Sequence, residues 1–130
     1  MRLLLDTHIL LWYVLDDPQL SATARALILD PANEILISPA SYWEIAIKVS
    51  IGKLALHSPF EDFLDLCLIR YGFAILPVEP RHAARVAGLP FYAGHKDPFD
   101  RLLVAQALAD GLTLVSVDAK LDQHAVSRLA

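Results

Sequence analysis

Four acidic side chains stand in positions suited to chemistry. Asp6 directly follows the aliphatic run Leu3-Leu4-Leu5, and Asp118 directly follows Leu112-Thr113-Leu114-Val115-Ser116-Val117. Glu44 is embedded in the stretch from Pro39 to Ile51, apolar on nearly every side, where an uncompensated carboxylate is costly to bury. Asp100 belongs to Asp97-Pro98-Phe99-Asp100-Arg101, and a 3.6-residue period sets it on the face of Leu103, Val104 and Ala107, at the head of a core-facing stripe. Each has an ordinary explanation as well. An aspartate after a strand often caps the next helix, Glu44 can pair with Lys48 at i, i+4, and an aspartate, a proline and a second acid make a good helix start. Asp97 is read in that last role, with support of the site acids as its other role. Clustered carboxylates repel and raise one another's pKa unless a cation joins them. Oxygen-only ligands, with no thiolate and no histidine pair at zinc spacing, point to a hard ion such as Mg²⁺ or Mn²⁺, and so to metal-assisted hydrolysis of phosphate esters.

The elements that must position these acids can be read from the rest of the chain. Arg2 to Leu5, Glu34 to Ile37, Phe73 to Val78 and Leu112 to Val117 are short, aliphatic and bounded by turn or capping residues, which predicts four buried strands without period-2 alternation. Helical patterns cover Ile9 to Leu15, Ser21 to Leu29, Pro39 to Ser50, Pro59 to Tyr71, Arg81 to Ala87 and Pro98 to Asp110, with a short last one near Ala119 to His124. Ser38-Pro39 is a cap followed by proline, Ser58-Pro59-Phe60-Glu61 is a capping box, and Gly72 and Gly111 sit where helix stops belong. Strands alternating with helices give an α/β fold with a central parallel sheet covered on both faces, in which catalytic groups collect beyond the carboxyl ends of the strands. Asp6 and Asp118 fall at such ends.

Composition narrows the class. The chain has 130 residues, is 55% hydrophobic, and carries 11 basic against 15 acidic residues for a formal charge of −4. Apolar residues run along its whole length, which excludes disorder, and neither repeat nor linker divides it, so a single domain over residues 1–130 is expected. The acidic balance excludes a nucleic-acid binder that works by bulk attraction. Setting the four candidate acids aside leaves 11 acidic against 11 basic residues, so the acidity is local. Cys67 is the only cysteine; it excludes an internal disulfide and a thiolate cage, fits a reducing cytosol, and reads as a small buried hydrophobe. The apolar N-terminus has the outline of a secretion signal, but Asp6 and His8 interrupt it, and the remaining run from Ile9 to Leu15 is too short to span a bilayer.

Together these segments resemble the PIN-domain family, and within it the VapC-type toxin ribonucleases of bacterial toxin–antitoxin modules. The resemblance lies in Leu4-Leu5-Asp6-Thr7-His8, in Ser41-Tyr42-Trp43-Glu44-Ile45 with Lys48 and Gly52-Lys53-Leu54, in His95-Lys96-Asp97-Pro98-Phe99-Asp100-Arg101 running into Ala105-Gln106-Ala107, and in Leu112 to Asp118. It implies a three-layer α/β/α sandwich, Mg²⁺-dependent cleavage of single-stranded RNA with Mn²⁺ as a substitute, a homodimer in the cytoplasm, and a small VapB-like antitoxin through which alone DNA would be bound. Carried over by residue, the acidic site is Asp6, Glu44, Asp100 and Asp118. Asp6, Asp100 and Asp118 would hold one or two ions, and Glu44 would orient or deprotonate the attacking water.

Further residues are weighed by their neighbours. Lys48, Lys96 and Arg101 could contact RNA phosphates or serve as solvated surface charge. His8 and His95 could assist or serve a structural role, and Trp12, Tyr13 and Trp43 are read as core or dimer interface with base stacking as the other role. A phosphoacceptor receiver domain is excluded because it needs a paired acid after the first strand and an aspartate ending a central strand. A haloacid-type phosphatase would need an aspartate where His8 stands. The alternative from another class is a catalytically silent PIN-like module that acts through a protein partner.

Overall fold

The computed structural model describes residues 1–92 and 96–130, so His95 lies outside the described residues. The elements in chain order are β1 (Arg2–Leu5), α1 (Thr7–Val14), α2 (Ala22–Leu29), β2 (Glu34–Ile37), α3 (Pro39–Ser50), α4 (Phe60–Asp65), β3 (Ala74–Ile75), α5 (Pro80–Ala87), α6 (Pro98–Asp110), β4 (Thr113–Val115) and β5 (Arg128–Leu129). The five strands form one parallel sheet in the order β3-β2-β1-β4-β5. Leu3 and Leu5 of β1, with Ile35 and Ile37 of β2, face a core that includes Ile9, Leu10, Ile45 and Phe63. Leu4 and Leu36 face the opposite way, into a second core with Leu103, Val104 and Leu114. Both faces are therefore covered, which is why the strand sequences are continuous aliphatic runs. The result is the expected three-layer α/β/α arrangement.

Local chemistry explains most boundaries. The Ser38 hydroxyl accepts from the Ala40 N–H at 3.1 Å with Pro39 in the first helical turn, so α3 starts as its sequence predicts. The Asp97 carboxylate accepts from the N–H groups of Phe99 at 2.8 Å and Asp100 at 3.1 Å, starting α6. That helix ends at Gly111, whose φ of 65° is the left-handed conformation that a residue without Cβ adopts at little cost.

Four expectations are corrected. The capping box at Ser58 does not form, because Pro59 is the residue that enters α4 and no side chain caps it. The helix predicted from Pro59 to Tyr71 stops at Asp65 and continues as a wider π turn over Leu66–Arg70. The strands around Phe73 and Leu112 shrink to Ala74–Ile75 and Thr113–Val115. Finally, α3 is buried only along Ala40, Ser41, Tyr42, Glu44 and Ile45, while Trp43 is 64% exposed. Among the described residues no helix is long and apolar enough to cross a membrane.

Candidate active site

The chain winds from β1 outward through β2 to β3, then returns across the sheet to place β4 on the other side of β1. At such a reversal the loops leaving adjacent strands diverge and open a crevice beyond their carboxyl ends. Asp6 leaves β1 on one side of this crevice and Ser116, Val117 and Asp118 leave β4 on the other. Asp6 is 6% exposed, and its backbone N–H donates to the Val115 carbonyl at 3.0 Å, so it is fixed by the β1–β4 pairing. Its Oδ1 accepts from the His8 N–H at 3.3 Å and its Oδ2 accepts from the Ser116 hydroxyl at 2.6 Å. That hydroxyl accepts in turn from the Asp118 N–H at 3.1 Å, and the Asp118 carboxylate accepts from the Lys120 N–H at 3.0 Å. One buried hydroxyl thus links the two acids that end neighbouring strands.

Glu44 and Asp100 reach the same region from opposite layers, because α3 packs against both α1 and α6. The Thr7 hydroxyl donates to Ser41 Oγ at 2.9 Å, pinning α3 to the start of α1. Trp43 and Phe99, each next in sequence to a candidate acid, meet edge to face at 5.7 Å. Glu44 is buried, with Oε2 3.1 Å from Lys48 Nζ, so the ordinary i, i+4 pair is present on a side chain that also faces inward. Asp100 carries the electrostatic signature of the cluster. Burial, followed by the charges of Asp6, Asp97, Glu44 and Asp118, pushes its carboxyl up to about 7. Asp6, Glu44 and Asp118 therefore each lie close enough for their charges to act on Asp100. Among the described residues, however, no three Asp, Glu, His or Cys side chains are gathered tightly around a single point. The donors facing one another are carboxylates and a hydroxyl, a set suited to a hard divalent ion and unsuited to zinc.

Other candidates separate clearly. Arg101 is corrected: it is 5% exposed and donates to the carbonyls of Pro90 at 2.8 Å, Leu89 at 3.0 Å and Val86 at 3.4 Å, with Phe91 stacked on its guanidinium. It braces the segment between α5 and α6 and does not present its charge to a phosphate. Trp12 and Tyr13 pack half-buried against the core, as expected, whereas Trp43 does not belong to it. His8 is exposed against Trp12, and Lys96 is exposed. Cys67 is buried, which pushes its thiol up to about 11. The residue missed by sequence reasoning is Ser116. Its position just after an aliphatic strand, two residues before Asp118, was the available signal.

The model of the PIN domain matches residues 3–127. The chain belongs to the PIN-domain family. This PIN domain is 30% identical over 122 residues to Ribonuclease VapC22 of Mycobacterium tuberculosis, across 93% of this chain and 90% of that protein. It is 39% identical over 79 residues to Ribonuclease VapC16 of the same organism, an overlap of 56% of each chain, so it matches about half the length of that relative. In three dimensions it resembles VapBC2 from Rickettsia felis bound to a DNA fragment from their promoter, with a TM-score of 0.72 and 18% identity over 99% of this chain and 98% of that one. The resemblance at that identity concerns the fold.

Proposed function

We propose that this PIN domain is a Mg²⁺-dependent endoribonuclease that cuts single-stranded RNA and serves as the toxin of a toxin–antitoxin pair. The observation that carries the reading is the approach of Asp6, Glu44 and Asp118 to the half-buried Asp100 at the carboxyl edge of the sheet, at its topological reversal. Asp6, Asp100 and Asp118 would hold a divalent cation, whose charge would offset the repulsion on Asp100. When bound, such an ion supplies positive charge that activates a water and stabilises the phosphate.

The chain's own residues do the rest. Ser116 holds the Asp6 carboxylate in place and sets the start of the Asp118 turn. Lys48 engages Oε2 of Glu44, so orientation of the attacking water and acceptance of its proton fall to Oε1. Lys48 and Lys96 remain as cations for the RNA backbone, the place of Arg101 having been ruled out. The names of the two mycobacterial relatives support ribonuclease activity, and the promoter-bound VapBC2 complex supports an antitoxin partner. A cytoplasmic homodimer of single-domain chains completes the reading.

The purified protein is expected to cleave single-stranded RNA with Mg²⁺ or Mn²⁺, to stop in EDTA, and to lose about 100-fold or more in kcat on Asp6→Asn. Unchanged cleavage by a folded Asp6→Asn protein sinks the site assignment. The rival, a silent module acting through its partner, is favoured by the Glu44–Lys48 pair and the open spacing of the acids. It predicts no metal-dependent cleavage by the isolated chain.

A further inference from the structure

We propose that Asp122 and Arg128 form a positioning clamp for the candidate active site, fixing the backbone of Ser116 so that its hydroxyl serves Asp6 and Asp118 at once. The proposal rests on the reading that those two acids belong to the site. Arg128 lies in β5, the edge strand beside β4. Its Nε donates to Asp122 Oδ1 at 2.8 Å and its Nη2 to Asp122 Oδ2 at 3.1 Å, the two-pronged contact that a planar guanidinium makes and an ammonium cannot. The remaining prong, Nη1, donates to the Ser116 carbonyl at 2.8 Å. On its other side Ser116 donates its N–H to the Leu129 carbonyl at 3.0 Å. Adjacent residues of β5 therefore hold both backbone groups of Ser116 at the point where the chain leaves β4.

Fixing the backbone matters because the hydroxyl has two obligations. A serine hydroxyl has one proton to donate, and here it goes to Asp6 Oδ2; its lone pairs receive the Asp118 N–H. Both contacts persist only if the Ser116 Cα stays where the clamp holds it. Asp122 sits within the turn Ala119–His124 that Asp118 caps, so the same guanidinium ties that turn to the sheet. Arg128 also feels the charge of Asp118. An ion pair with Asp122 half exposed adds little to global stability, so a contact of this geometry acts chiefly by orientation.

The test uses the full chain. Arg128→Met and Asp122→Asn are compared with the unmodified protein and with Arg25→Met, which breaks the exposed Arg25–Asp16 pair elsewhere. In metal-free protein, hydrogen exchange at the Asp118 N–H should rise about tenfold in Arg128→Met and less in Asp122→Asn, while the Asp6 N–H keeps its protection. The Kd for Mn²⁺, measured by calorimetry, should rise by roughly 10–100-fold in Arg128→Met, and Arg25→Met should move neither quantity. The proposal is overturned by a folded Arg128→Met with unchanged exchange at Asp118 or unchanged Mn²⁺ affinity. Equal loss of protection at Asp6 and Asp118 also overturns it, since that is general loosening. Should Arg128→Met fail to fold, Asp122→Asn decides by the same readouts. Should the unmodified protein bind no Mn²⁺, the site reading fails, and exchange at Asp118 alone decides whether the clamp exists.

Discussion

In the folded protein the Asp100 carboxyl titrates near 7 against an ordinary 3.8, because burial and then the charges of Asp6, Asp97, Glu44 and Asp118 oppose its ionisation. A carboxyl whose pKa is raised by folding binds its proton more tightly in the native state, so the metal-free protein should lose stability as pH rises from about 4 to about 7 and stay at the lower level above that. Asp100→Asn removes the charge. With EDTA present it should raise stability at pH 8 by about 1–3 kcal/mol, a figure discounted for the partial exposure of the group, and the gain should shrink as pH approaches 4. Melting curves at both pH values check this; a variant no more stable than its parent at pH 8 contradicts it. The four acids were legible in the sequence because each breaks a local pattern: an acid closing an aliphatic run, or one on an otherwise apolar helix face. Ser116 was not, since a serine after a strand is unremarkable until its partner, 110 residues away in sequence, is brought against it.

At the scale of elements, what could be read was what short-range chemistry decides. Ser38, Asp97 and Gly111 mark the ends of α3 and α6 because a cap needs only a side-chain acceptor or a residue free of Cβ. The edge strand β5 escaped detection because two residues carry no periodicity, and it exists through pairing with β4 alone. The fate of Arg101 was equally hidden, being set by the loop that lays the carbonyls of Leu89 and Pro90 across its guanidinium. Arg101→Met would leave these carbonyls without their charged donor and strip the cation from under Phe91. It should destabilise the protein by about 2–4 kcal/mol in urea unfolding. A cost below about 0.5 kcal/mol would show that the segment does not depend on this brace.

For the whole molecule, the acids that crowd Asp100 at the sheet edge make the fold sensitive to cations. Adding Mn²⁺ at about 100 times its Kd should stabilise the protein by about 2.7 kcal/mol, a rise of several degrees in Tm, while Asp100→Asn should blunt the response. No shift at millimolar Mn²⁺ would argue against a site formed by this chain alone. Layer order and sheet direction followed from the alternation of aliphatic runs and helices, because a parallel sheet must be covered on both faces. The meeting of α3 with α6, which gathers Glu44 and Asp100, is a property of packing and not of either helix. One more consequence lies in the helix starts. Asp6 and Asp118 are both N-caps as well as candidate ligands, and asparagine caps a helix about as well as aspartate. An amide at residue 6 can still accept from His8 through its oxygen and offer its NH₂ to the Ser116 hydroxyl. Amide replacements at these positions should therefore yield an inert decoy of unaltered shape, able to hold an uncut strand long enough to be seen, where alanine would silence the chemistry and fray the scaffold together.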